Sequence, residues 1–267
     1  VSSDARQLGW ARAALGLVFT VRHTSLVAGL PGIHLPPQHL LAGWPDGESQ
    51  HRFAALGLAL PNSAVSALCV VRAVAGVLFT LGVAARPAGV VAVLAAYLVA
   101  AQDPIGFLFT THILYLGVLV LALGDARSFF ALRPVAPEAP TSSAWLVQSF
   151  VASVYFWSAI PKLRGPWLSG QVLRAYLDLG YGRGVLGSFF LGAHARTSAL
   201  ATVALELALA PLLLVRRTRT AGVVLACAMH TTFELTVRPD VLGWVMVAML
   251  LAFVEARPRE RGGKAGP

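Results

Sequence analysis

Lys162, His112, His230, Arg22, Arg72, Glu206 and Glu234 are ionisable side chains set inside or at the edge of long apolar runs. Such a group in lipid costs several kcal/mol unless it faces the protein interior and finds partners, so each is a candidate for chemistry. At about 1.5 Å per helical residue, Arg22 and Arg72 lie roughly 12–14 Å, His112 about 9 Å and His230 about 12 Å below one membrane surface. Lys162 stands at that surface, Glu206 lies deeper, and Glu234 follows His230 at i+4 on the same helix face. Depths that agree across different helices point to one polar cavity open to the outer side. Within it, Lys162 is a candidate general base, an amine at the edge of a low-dielectric space beside Arg164. Next to Trp157 and Trp167 it reads equally as a snorkelling anchor at a helix end. His112 and His230 suit anion stabilisation or proton exchange. Arg22, Arg72, Glu206 and Glu234 are either electrostatic clamps on a ligand or ion pairs that lock helices together. A zinc site would need His112 and His230 to converge on a carboxylate, and no His or Cys spacing enforces that, so no metal is expected. His34, His39 and His51 fall in a Pro-rich loop and read as solvated.

The elements that must position these residues are helices. The chain has 267 residues, 57% hydrophobic and 12% charged, with a mean hydropathy of +0.70. Average soluble proteins are roughly half apolar and about a quarter charged, so an ordinary soluble domain is excluded. The apolar stretches 8–30, 63–84, 87–101, 106–124, 144–162, 196–215, 219–238 and 240–255 predict an all-α polytopic transmembrane bundle of about eight spans. Asp103-Pro104 leaves open whether 87–124 is one broken span or two. Residues 164–195 predict an interfacial or re-entrant helical segment. Its first half sets Leu168, Val172, Tyr176 and Leu179 along one side and Gln171, Arg174 and Asp178 along another. One membrane domain over 1–255 is expected, followed by a basic, disordered tail over 256–267.

The net charge of +9 does not argue for nucleic acid, because Lys and Arg gather at span ends. One side collects Arg6, Arg86, Arg127, Arg133, the Arg216–Arg219 loop and the tail. The other collects Arg52, Lys162, Arg164, Arg174, Arg183, Arg196 and Arg238, and Arg12, Arg22 and Arg72 lie within spans. The bias predicts a multi-pass cell-membrane protein with both termini cytoplasmic. Cys69 and Cys227 lie in apolar runs and read as small core residues. No internal repeat supports a transporter built from two matched halves.

The stretch Tyr155-Phe156-Trp157-Ser158-Ala159-Ile160-Pro161-Lys162-Leu163, with Trp167 and Gly170 downstream, resembles the signature of the vitamin K-dependent gamma-carboxylase-like, or HTTM (horizontally transferred transmembrane), family. Thr111-His112-Ile113-Leu114-Tyr115-Leu116 is similar to the family's His-containing helix, and Met229-His230 with Met246 is similar to its late His helix. Arg22 and Glu206 also sit where the family tends to carry an Arg and a Glu. The resemblance implies an integral membrane lyase or oxygenase with reduced vitamin K or another quinol as cofactor. Lys162 would deprotonate the quinol, oxygen would add, and the strong base so formed would take a proton from a glutamate gamma-carbon that then captures carbon dioxide. His112 and His230 would stabilise the anion. Arg22, Arg72, Tyr155, Trp157, Trp167, Glu206 and Glu234 would contact substrate or cofactor. Arg164-Gly165-Pro166 departs from the acidic, helix-compatible residues expected between the lysine and the tryptophan. The residues after the last predicted span hold no counterpart of the carboxylase's large lumenal region. The expected partners are membrane lipid, a lipid-soluble quinol, and an acceptor that is a small molecule, a lipid or a separately presented peptide. The fold also resembles small bacterial membrane proteins that mature a peptide toxin, so a non-catalytic scaffold or export accessory is the alternative.

Overall fold

A computed structural model describes residues 3–28, 60–101, 109–124, 141–237 and 241–254. Every regular element among them is helical. The long helices are α1 (Ser3–Ala28), α2 (Asn62–Leu81), α3 (Ala85–Ala101), α4 (Phe109–Leu123) and α5 (Thr141–Lys162). Four short pieces follow: α6 (Gly165–Leu168), α7 (Gln171–Asp178), α8 (Gly184–Gly187) and a π-helical segment at Ser188–Ala193. The chain then forms α9 (Ala195–Leu214), α10 (Arg219–Thr236) and α11 (Leu242–Leu250), which ends in a 3-10 turn at Leu251–Phe253. The loop histidines 34, 39 and 51, the Asp103-Pro104 step and the basic tail lie outside the described residues.

Ser63–Leu81, Ser143–Lys162 and Ala195–Leu214 are long and apolar enough to cross a membrane, and Ala85–Ala101, Thr110–Leu123, Gly184–Ala193 and Leu242–Phe253 are shorter apolar helices. Large apolar side chains point outward on most of the long helices, among them Leu17, Val74, Leu94, Trp157, Val224 and Trp244. Water would not tolerate so much exposed apolar surface, and lipid requires it. Within 87–124 the described residues form two helices, α3 and α4, packed against each other.

α1 runs through the middle of the bundle, touching α2, α4, α5 and α11. It approaches α2 closely because a Cβ at Gly76 would meet the Phe19 ring at 2.9 Å, so only glycine fits there. α2 and α3 form a hairpin around Gly82, whose left-handed φ of 73° ends α2. Arg12 of α1 is fully buried and donates to the carbonyls of Phe79 and Thr80, the latter at 2.8 Å, closing the C-terminal end of α2 with a cation. Leu8, Leu15, Phe19, Phe79, Leu114, Val147, Leu209 and Met249 form one continuous core.

Between α5 and α9 the chain turns back through the short helices. The side of α7 that packs inward carries Leu173 and Leu177, set against Leu191, Ala195 and Ala199. Tyr176 and Leu179, expected on the same side as Leu168 and Val172, point outward instead, Leu179 with 71% of its surface exposed. The sequence pattern locates an amphipathic helix, but two apolar faces compete and the tertiary contact takes the other one.

Gly170 opens α7 with φ +75°, and a Cβ there would meet the backbone of Arg196 at 2.4 Å and of Ala195 at 2.5 Å. This contact pins the connection that leaves Lys162 to the start of α9. Gly170→Ala should therefore destabilise the fold by more than the ~1–2 kcal/mol of a left-handed non-glycine residue. A melt in nanodiscs within a degree of wild type would show that the close approach is dispensable.

Candidate functional site

Pro161 and the Arg164-Gly165-Pro166 sequence end α5 at Lys162, so the lysine sits on the last turn and not in the apolar middle. Counting back by helical spacing, Ser158 and Tyr155 share its face. Opposite stands α9, the helix most extensively packed on α5, and it brings Glu206 inward. The Lys162 ammonium pairs with Glu206 Oε1 and donates to Ser158 Oγ at 2.8 Å, and Ser158 in turn donates to the same carboxylate oxygen at 3.2 Å. Trp167 of α6 covers the ammonium with its ring centroid 5.4 Å away, a cation–π contact. Arg164, expected to be the charge that acts on Lys162, is exposed at the N-cap of α6. The lysine's main electrostatic partner is instead Glu206.

One turn back along α5 from Ser158, Tyr155 Oη and His230 Nε2 of α10 lie 2.9 Å apart, and both residues are buried. Lys162 is within electrostatic reach of His230, and Glu206 of Tyr155, so the two pairs form a single polar set. Two of its buried atoms, Glu206 Oε2 and His230 Nδ1, have no hydrogen-bond partner among the described residues. In either tautomer of His230 one ring nitrogen is therefore left to meet a ligand.

His112 does not join this set. Its Nδ1 lies 2.8 Å from Tyr97 Oη, and Tyr97 packs edge-on against Tyr115 at 5.0 Å. Tyr115 stacks in turn near His23 at 5.6 Å, within electrostatic reach of Arg22 and Arg72. The described contacts thus sort the candidates into two sets and not one cavity: Tyr155, Ser158, Lys162, Trp167, Glu206 and His230 on α5, α6, α9 and α10, and Arg22, Arg72 and His112 with His23, Tyr97 and Tyr115 on α1 to α4. Depth along a helix axis is readable from sequence, whereas the direction a side chain takes around that axis is set by its neighbours. Trp157 points away from both sets with 67% of its surface exposed, as a lipid-facing anchor does. Glu234 lies on α10 against Gly243, with Arg183 within electrostatic reach. Among the described residues, no three His, Cys, Asp or Glu side chains are grouped to hold a metal ion.

A cavity of about 440 Å³ opens between α9 and α10 below the π-helical segment, lined by His194, Ser198, Leu205, Met229, Thr232 and Phe233 among others. Leu205 and Met229 are the chain neighbours of Glu206 and His230, so the cavity wall runs one residue from the polar set, whose own side chains do not line it. Sequence reasoning missed His23, Tyr97 and His194. For His23 a signal existed, since it directly follows Arg22 in the same apolar run.

A helical membrane protein with buried acid, base and imidazole groups beside an apolar cavity is the class these features define. The HTTM domain model matches residues 2–257, and the chain belongs to the HTTM domain family. Comparison with curated proteins and with solved structures gives no match.

Proposed function

We propose that this protein is an integral membrane enzyme acting on a lipid-soluble quinol, with the Lys162–Glu206 pair as proton acceptor. The observation that carries the reading is the pairing of Lys162 with a buried carboxylate whose second oxygen has no partner, beside an apolar cavity. A quinol fits such a place: its hydroxyl finds an acceptor at Glu206 Oε2 and a donor or acceptor at His230 Nδ1, and an isoprenoid tail finds the cavity between α9 and α10. When bound it would supply a reducing hydroxyl able to react with oxygen and so generate a strong base.

The residues divide the remaining work. Passing its shared proton to Glu206 turns the Lys162 ammonium into an amine, and that amine then takes a proton from a ligand hydroxyl. Ser158 bridges the two groups and holds their geometry through the exchange. Tyr155 fixes the ring of His230 so that its free nitrogen faces developing negative charge. Trp167 shields the pair from water, which strengthens each of these interactions. Carboxylation of a small molecule, lipid or separately presented peptide is the reaction class that follows from the resemblance. An arrangement of about eight spans over 1–255, both termini cytoplasmic and the Lys162 end outward, accommodates these positions, with the basic tail on the cytoplasmic side.

A second reading has its own support. Lys162 is already neutralised by Glu206, as it would be in a purely structural tie between α5 and α9 of a membrane scaffold or a peptide-maturation accessory. The deciding experiment is epoxide formation from reduced vitamin K and oxygen in lipid nanodiscs, followed by mass spectrometry. Wild type should form the epoxide and Lys162→Ala, compared per folded molecule, should not. Absence of epoxide from both would favour the scaffold.

A further inference from the structure

The second polar set carries a different chemistry. Arg72 stands at the centre of α2 and is 3% exposed, and His23 on α1 is 1% exposed. Among the described residues Arg72 Nε has no hydrogen-bond partner, and its Nη2 reaches the weak acceptor Cys69 Sγ at 3.8 Å. Neither ring nitrogen of His23 has a partner. Arg22 and Arg72 both act electrostatically on His23 and on Tyr115. The carboxylates whose side chains are described stand elsewhere: Glu206 on Lys162, Glu234 near Arg183, and Asp178 exposed on α7. A buried guanidinium without a countercharge is strongly unfavourable in a low-dielectric interior. This one is also surrounded by groups that can donate hydrogen bonds: its own Nε, an imidazole N–H and a phenol.

We propose that Arg72, His23 and Tyr115, with Arg22 beside them, form a binding site for a single oxyanion, a carboxylate or a phosphate, held between α1, α2 and α4. The planar guanidinium fork presents two parallel N–H donors, which match two oxygens of such an anion better than they match chloride. His23 adds one N–H, and the ring contacts of Phe19 at 4.4 Å and Tyr115 at 5.6 Å hold its imidazole in place. Occupancy supplies a negative charge that none of the described carboxylates brings to Arg72, so the bound state should be the more stable one. The site does not depend on the quinol reading, because none of its residues belongs to the Lys162 set.

The test is the melting temperature of the full chain in phosphatidylcholine nanodiscs without quinol, at constant ionic strength. Phosphate or acetate replaces chloride in one arm, and phosphatidylglycerol replaces part of the lipid in the other. A saturable rise of a few degrees with the free anions assigns the site to a soluble ligand, and a rise with the anionic lipid alone assigns it to a headgroup. Either rise should vanish in Arg72→Gln, survive in weakened form in Arg72→Lys, and need at least tenfold more anion in His23→Phe. If Arg72→Gln does not fold, the His23→Phe titration decides. No saturable rise in either arm for wild type, or a rise unchanged in the variants, overturns the proposal.

Discussion

Glu206→Leu should lower the unfolding free energy by about 3 kcal/mol, the low end of the range for breaking a buried ion pair by removing one partner. The loss arises because the Lys162 ammonium keeps only Ser158 and the Trp167 ring, in a setting where its side chain is 16% exposed. It stays at the low end because a lysine on the last turn of α5 can swing toward the headgroups. The double variant Lys162→Met/Glu206→Leu should recover most of the stability, since two apolar side chains fill the space without a stranded charge. A double-mutant cycle in nanodiscs measures the coupling. A coupling near zero would mean that the pair does not tie α5 to α9, and the scaffold reading would lose its main support.

Arg12→Leu should cost a similar amount, about 3 kcal/mol, for a reason unconnected with any ligand. The substitution leaves the carbonyls of Phe79 and Thr80 without the buried donor that closes α2. By the usual scaling for chains of 150–250 residues this is a fall in melting temperature of roughly 6–12 °C. Arg12→Lys should recover only part of it, because both bonds come from Nη1 and an ammonium on a shorter, more strongly hydrated side chain costs more to bury there. Any quinol-dependent turnover per folded molecule should be unchanged, which separates Arg12 from the residues of the α5–α9–α10 set. A wild-type melt for Arg12→Leu would show that water or lipid satisfies that helix end.

Much of this architecture is legible in the residues because lipid makes polar positions expensive. Lys162, Glu206 and His230 stand out in apolar helices for that reason, and the structure places all three in one polar set. Arg12 stands out in the same way, yet its purpose is structural, and only its contact with the end of α2 reveals that. Tyr97 gives no such signal, since a tyrosine in an apolar run is unremarkable until His112 is found across from it. The division into two sets was hidden for a related reason. Arg22, Arg72 and His230 lie at matching depths, but α1 and α2 turn theirs toward Tyr115 while α10 turns its own toward Tyr155. On α7, Leu173 and Leu177 won the interior over Tyr176 and Leu179 because Leu191, Ala195 and Ala199 offered a packing surface that no pattern in the α7 sequence encodes.

The hydrogen bond between Tyr155 and His230 joins residues 75 positions apart, and the Lys162–Glu206 bond joins residues 44 apart. During synthesis the polar face of α5 therefore leaves the ribosome well before either partner. At the usual elongation rates of 5–20 residues per second the tyrosine waits about 4–15 s for its histidine. Through that interval Tyr155 and the Lys162–Ser158 pair are polar groups on a freshly made hydrophobic helix without their partners from α9 and α10. α5 is the segment most in need of an insertase that retains it until α9 and α10 arrive. A chain truncated between Leu163 and Ala195 would expose that dependence as a helix caught by quality control, well before any chemistry is at stake.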